Sequence, residues 1–403
     1  MKNIFQVLSF DVVGKGLLAL TGALLIRYMP QSEYVAYSVA YSLLLVFVQV
    51  CSGSLSRIFL VRQRNLTSDA DISVFICTQL LLISAAVPVL LLIVGVRTGM
   101  AWVCAGSLLT GSLAEITKSR FQRDLRFRRF SLVELGRAVL TFGAVCALVF
   151  WQGHHLRAVQ MQAVNLVAMT LIVGLNRLPR IGPVTRESWT AIRAFASQLL
   201  TGADRHLFAY FCLVAVFGQV DLLMLKVIGT EHQVATYASA YRYYNILLLA
   251  LNAINTVLFP AIQRIQSMDD SSELRRIHRT AMAIFIPGVL ICMCLAHRVM
   301  PMIDRSRYPG APAVFYILAL SSIASLIFSP YLNYVMRFED FPFLLQTLCV
   351  ALAVGAASNL LLVRSLGAVG TASSLFLSTA ILNVSGYLRC SRYRDAPAEL
   401  ATA

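Results

Sequence analysis

Five polar side chains of one apolar segment, Tyr237, Tyr241, Asn245, Asn252 and Asn255, follow each other at helical intervals. At about 100° per residue all five fall within about 40° of one line. Lipid does not tolerate three carboxamides along a spanning helix, so this stripe faces a polar cavity or a neighbouring helix. In the first case it is a binding surface for a polar ligand. In the second it is a seam of interhelical hydrogen bonds. Ser322, Ser325, Ser329 and Asn333 form a weaker stripe in a later segment. Lys226 and Arg242 are candidate contacts to an anionic group, or else snorkel to the membrane surface. Asp221 has no basic residue three or four positions away on its own helix. It must be protonated, partnered across helices, or bound to a cation, which makes it a candidate ion-coupling carboxylate. Asp11 is a second candidate, although Lys15 stands one helical turn away and can neutralise it. Glu134 and Arg137 form a similar self-neutralising pair, and Glu115 and Lys118 lie near a helix end.

These residues are positioned by membrane helices. Hydrophobic residues make up 58% of the chain and charged residues 13%, a balance that excludes both a soluble domain and a disordered one. Residues 72–96 carry no charge over more than the ~20 positions a helix needs to cross a bilayer. Comparable stretches recur at 8–29, 34–60, 100–117, 131–151, 156–176, 206–228, 234–262, 280–303, 313–336, 342–363 and 368–388, which predicts about twelve spans. An even number leaves both termini on one side. Basic residues concentrate in alternate loops, densest at Lys118, Arg120, Arg123, Arg126, Arg128 and Arg129, and this bias places both termini in the cytoplasm. The loop with Arg298, Arg305 and Arg307 runs against it, either as an exception or as a functional basic patch. The net charge of +15 is then a matter of topology and anionic lipid, and no nucleic-acid partner is expected. The first segment, with Asp11 and Lys15 and no small-residue cleavage site after it, is expected to remain as a helix rather than be removed as a signal peptide.

The sequence also repeats. Tyr37-Ser38-Val39-Ala40-Tyr41 and Tyr237-Ala238-Ser239-Ala240-Tyr241 share Tyr-x-x-Ala-Tyr, each after an apolar segment with a basic residue near its end and a short turn holding Glu33 or Glu231. Two six-helix bundles follow, 1–177 and 203–389, pointing the same way. They are joined by a linker at 178–202 and followed by a tail at 390–403. Trp189, Ile192, Phe195 and Leu199 recur at helical spacing in that linker and predict an amphipathic interfacial helix. Pro88, Pro287 and Pro330 mark bends within spans. No nucleotide loop, metal motif or nucleophile motif is present, so no catalytic residue, metal or cofactor is expected. The nine cysteines fall almost wholly within spans and read as free thiols.

The chain resembles the Wzx-type polysaccharide flippases of the multidrug/oligosaccharidyl-lipid/polysaccharide (MOP) superfamily. The likeness lies in Phe217-Gly218-Gln219-Val220-Asp221-Leu222-Leu223-Met224-Leu225, in Ala235-Thr236-Tyr237-Ala238-Ser239-Ala240-Tyr241-Arg242, and in Leu258-Phe259-Pro260-Ala261-Ile262. The basic run from Phe121 to Arg129 adds to it. The resemblance implies two bundles in a MATE-like V around a central cavity. It also implies a multi-pass protein of the bacterial inner membrane that moves an undecaprenyl-diphosphate-linked oligosaccharide by alternating access. Surrounding membrane lipids, a polysaccharide polymerase and a chain-length regulator are its candidate partners. Tyrosine and asparagine suit sugars, and lysine or arginine suit a diphosphate. A multidrug or metabolite antiporter of the same superfamily is the alternative, and a membrane glycosyltransferase or polymerase a third reading.

Overall fold

The computed structural model describes residues 2–61, 69–123, 126–153, 155–176, 186–202, 204–264 and 272–394. Every regular element among them is a helix. This is the expected outcome for long apolar runs, because a helix satisfies all of its backbone hydrogen bonds internally. The chain divides into two compact units, Met1–Leu223 and Met224–Ala403.

The first unit holds α1 (Lys2–Tyr28), α2 (Gln31–Val48), a π turn (Gln49–Gly53) running into α3 (Ser54–Val61), α4 (Asp69–Val94), α5 (Gly99–Arg123), α6 (Phe127–Gln152) and α7 (Ala158–Leu175). It also holds α8 (Arg186–Leu200), α9 (Arg205–Phe217) and the start of α10 (Val220–Ile228). Helix α1 lies along α6, while α5 packs on α2, α4, α6 and α7. Apolar side chains of α2, α4 and α5, among them Leu44, Ile83, Leu90 and Leu108, close one core. Helix α8 rests on α4, where the ring of Phe195 meets Phe75 at 6.5 Å, and buries Ile192 and Leu199 as well. Trp189, of the same predicted face, stays 53% exposed.

The second unit contains the rest of α10, then α11 (Glu231–Arg264), α12 (Ser272–Asp304), α13 (Ala311–Arg337), α14 (Phe341–Leu366) and α15 (Ala368–Arg394). Its packing repeats that of the first unit. If α2, α4, α5, α6 and α7 are matched in order to α11, α12, α13, α14 and α15, seven helix pairs that touch in one unit touch in the other. The pairs α5–α7 and α13–α15 are extensive in both. Helices α6 and α14 end alike, on Gly153 (φ 58°) and Gly367 (φ 56°). Only glycine adopts that conformation without strain. The duplication inferred from five residues thus extends through the backbone.

Nine helices among the described residues are long and apolar enough to cross a membrane, or ten if the bent pair Trp189–Leu200 and Arg205–Phe217 makes one span. Twelve were expected, and the three not among the nine are 8–29, 206–228 and 234–262. The expected span at 206–228 breaks at Gly218 and Gln219 into α9 and α10, of 13 and 9 residues, each too short to cross alone. Helix α11 is long, but its polar stripe dilutes its apolar character. The expected span at 34–60 is among the nine, and within it the π turn at Gln49–Gly53 adds a residue to one helical turn.

Candidate functional site

Helix α11 carries the stripe read from the sequence, and packing divides it into three parts. At its start Tyr237 is buried and stacked on Tyr241, with ring centres 5.9 Å apart at 23°. Tyr241 in turn meets Tyr244 at 5.6 Å. In the middle Asn245 and Asn252 are exposed. Near the end Asn255 accepts a hydrogen bond from Ser329 Oγ of α13, and Asn333 Nδ2 donates to that same Ser329 oxygen at 3.3 Å. The stripes of α11 and α13 therefore meet at Asn255, which serves as an interhelical seam there. Ser322 instead bonds the Ala319 carbonyl of its own helix at 2.7 Å. Asn245 and Asn252, both exposed, and the half-buried Tyr241 make up the rest of the α11 stripe.

A second polar group on α11 was not anticipated from the sequence. Asp304, at the end of α12 and 1% exposed, accepts from Ser239 Oγ at 2.7 Å and from Tyr243 OH at 2.6 Å. Two hydroxyl donors replace much of the hydration a buried carboxylate forfeits. Immediately after it Arg305 and Ser306 take φ of 53° and 57°, uncommon for side-chain-bearing residues, and Tyr308 is buried next to His232. The turn is held by its buried ends and presents Arg305 and Arg307 outward. The signal in the sequence was an isolated acid at a helix end that otherwise carries basic residues.

The remaining candidates fall in different places. Asp221 is 5% exposed in the first turn of α10, just past the break at Gly218. Lys226 is exposed and stands 3.8 Å from Glu231, a loose surface pair of the kind that contributes little. Arg242 is half-buried. The side chain of Asp11 lies outside the described residues.

In the first unit the charged pairs form a larger group. Arg137 binds both oxygens of Glu134, at 3.2 and 3.3 Å, and Lys118 binds Glu115 at 2.8 Å. Lys118 also approaches Glu134 at 3.7 Å, and Arg137 lies close to Tyr41. Two acids and two bases from α5 and α6 thus neutralise one another, with a tyrosine of the repeated motif attached. Tyr41 stacks on Tyr37 at 5.7 Å and 19°, almost the geometry of the second pair, and Tyr37 OH accepts from Asn165 Nδ2 at 3.2 Å. Sequence spacing shows each pair within its own helix, whereas the Lys118–Glu134 bridge depends on how α5 packs against α6. Among the described residues no three His, Cys, Asp or Glu side chains converge on a point that would hold a metal.

The sequence profile of a family described as "Polysaccharide biosynthesis protein" matches residues 65–311. No curated protein matches the chain in sequence. Several solved structures match its fold along nearly the whole length. A lipid II flippase, MurJ, in an inward closed conformation is 12% identical, with a TM-score of 0.69, covering 98% of this chain and 87% of that one. An outward-facing multidrug resistance MATE family transporter of the MOP superfamily is 13% identical, with a TM-score of 0.63 and coverage of 98% and 97%. A mutant of the MATE transporter VcmN from Vibrio cholerae is 16% identical, with a TM-score of 0.59 and the same coverage. At these identities the likeness is one of fold.

Proposed function

Because the chain belongs to the polysaccharide biosynthesis protein family, we propose that it is a flippase for undecaprenyl-diphosphate-linked oligosaccharides. It would move these units across the bacterial inner membrane by alternating access, for O-antigen, capsule or exopolysaccharide synthesis. The observation that carries this reading is the family match over residues 65–311, set within a MOP-superfamily transporter fold. The reading includes twelve spans with both termini cytoplasmic, grouped as 1–177 and 203–389. A transporter of this kind works by binding and reorientation, with no covalent step.

On this reading the open face of α11 receives the sugars. Asn245 and Asn252 offer donors and acceptors on an exposed helix face, and Tyr241 offers a ring for stacking. Tyr237 supports Tyr241 from beneath, and Asn255 fixes the far end of the helix through Ser329. Arg242, and Lys226 once released from Glu231, serve the diphosphate. Asp221, and Asp11 with it, would couple transport to an ion. A polymerase and a chain-length regulator would act on the delivered units.

The test is genetic. In a strain lacking the chromosomal copy, the parent protein should restore surface polysaccharide, while Asn252→Leu and Tyr241→Leu should abolish it at unchanged protein level. Lipid-linked units should then accumulate on the cytoplasmic side. Full polysaccharide from both variants would remove α11 from the substrate path. The fold shared with multidrug transporters favours one other reading, a cation-coupled antiporter of drugs or metabolites. Normal polysaccharide together with drug hypersensitivity in the deletion strain would select it.

A further inference from the structure

The basic run after the fourth apolar segment takes no part in the proposed transport path, yet the structure builds a pocket from it. The pocket lies between α5, α6 and α7, has a volume of about 670 Å³, and is lined by Arg120, Arg126 and Arg129. All three arginines are exposed, and none has an ion pair or side-chain hydrogen bond with another described residue. Below them the floor is apolar: Phe121, Val133 and Ile172 form a small buried core. Leu132 and Leu175 line the rim and are 43% and 77% exposed.

The pocket sits where three apolar stretches terminate. Those running Gly99–Phe121 and Ala158–Leu175 end there, and the one running Arg128–Gln152 begins there. It therefore passes from hydrocarbon-facing side chains to cations at the depth of the lipid headgroups. Helix α6 opens at this point with no side-chain cap on Arg126, so its first-turn N–H groups remain available. The C-termini of α5 and α7 also face this end and oppose an anion. Each contributes about half a negative charge, against three full positive charges, and Asn176 Nδ2 already occupies the Ile172 carbonyl at 2.8 Å. The balance favours an anion.

We propose that this pocket holds the phosphate headgroup of an anionic phospholipid, with its acyl chains lying against Leu132 and Leu175. The chemistry required is a phosphate attached to hydrocarbon: the arginines supply forked donors for the first, and the open leucines supply surface for the second. A second groove, between α11 and α12, has a volume of about 460 Å³, but Arg276 is the one charged residue among its described lining residues, so it lacks the charge to select an anion.

The test uses the full chain purified in a neutral detergent and titrated with phosphatidylglycerol or phosphatidylcholine, with bound lipid counted by native mass spectrometry. Phosphatidylglycerol should bind more tightly. Replacing Arg120, Arg126 and Arg129 together by Gln should weaken it about a hundredfold, each single replacement about fivefold, and the triple Lys variant should recover most of the loss. The single variants decide the matter if the triple variant aggregates. Equal binding of the two lipids, or unchanged binding in the Gln variants, overturns the proposal. Displacement by inorganic phosphate at the concentration of phosphatidylglycerol overturns it in favour of a free-anion site. Displacement by undecaprenyl phosphate at far lower concentration assigns the pocket to the transported lipid instead.

Discussion

Tyr37 with Tyr41 and Tyr237 with Tyr241 are equivalent pairs in two similarly packed units, and their ring geometries differ by only 0.2 Å and 4°. Their surroundings are unlike. In the first unit Tyr41 lies close to Arg137, beside a cluster of charges that includes Lys118 and Glu134. In the second Tyr241 leans on the ring of Tyr244, and the buried acid of that unit, Asp304, is held by two hydroxyls. Helix α2 passes into a π turn twelve residues after Tyr37, whereas α11 runs without interruption for 34 residues. Backbone packing depends on small residues and apolar volume, and both copies share it. Interior polar groups need only be satisfied, by whatever partner is in reach, and here the copies part. A charged interior is well suited to hold a unit together. An uninterrupted helix with exposed carboxamides is suited to meet a ligand.

The largest effect that would test this contrast is loss of one charge from the first unit. Arg137→Ala leaves Glu134 with Lys118 and Lys15 and should cost about 3 kcal/mol of apparent stability, read as a fall in unfolding temperature of the purified protein. Replacing Glu134 and Arg137 together by Leu and Met should recover most of it. Equal loss from single and double variants would show that the cluster is not a mutually neutralising group. Next come the two glycines where helices approach closely. A side chain at Gly136 would collide with Ile172, and one at Gly355 with Ser378. Gly136→Leu and Gly355→Leu should each cost about 2 kcal/mol by the same measurement if the two units pack alike. A cost confined to one would break the parallel.

Smaller changes separate the polar interiors. Asp304→Asn keeps an acceptor for Ser239 and Tyr243 but removes the charge, and should lower stability by about 1 kcal/mol. The smallest effect belongs to the stacked pairs. Tyr37→Leu and Tyr237→Leu should each cost about 0.5–1.5 kcal/mol, beyond the change in buried area, by double-mutant cycles with Tyr41 and Tyr241. A coupling present in one pair and absent in the other would mean that the shared geometry does not carry shared energetics.

Much of the helical scaffold could be read directly, because an apolar run has no other stable form in lipid. The break in the seventh expected span was foreshadowed by Gly218, but glycine is common in spanning helices and does not by itself require a break. The site was read less completely. The α11 stripe was visible as a periodicity, yet period alone gives each member the same role. Packing buried Tyr237, tied Asn255 to Ser329 and left Asn245 and Asn252 exposed to the surface. Asp304 was missed because its partners lie 61 and 65 residues away in sequence.

The amino-acid order alone determined that this is a helical membrane protein with a repeated motif and a polar line on one helix. Those properties follow from composition and period, which are local and additive along the chain. Only tertiary structure decided which polar groups answer one another: Lys118 with Glu134, Asn255 with Ser329, Asp304 with Ser239 and Tyr243. Hydrogen bonds and ion pairs act over a few ångströms, and which side chains come that close is set by the packing of helices far apart in the chain.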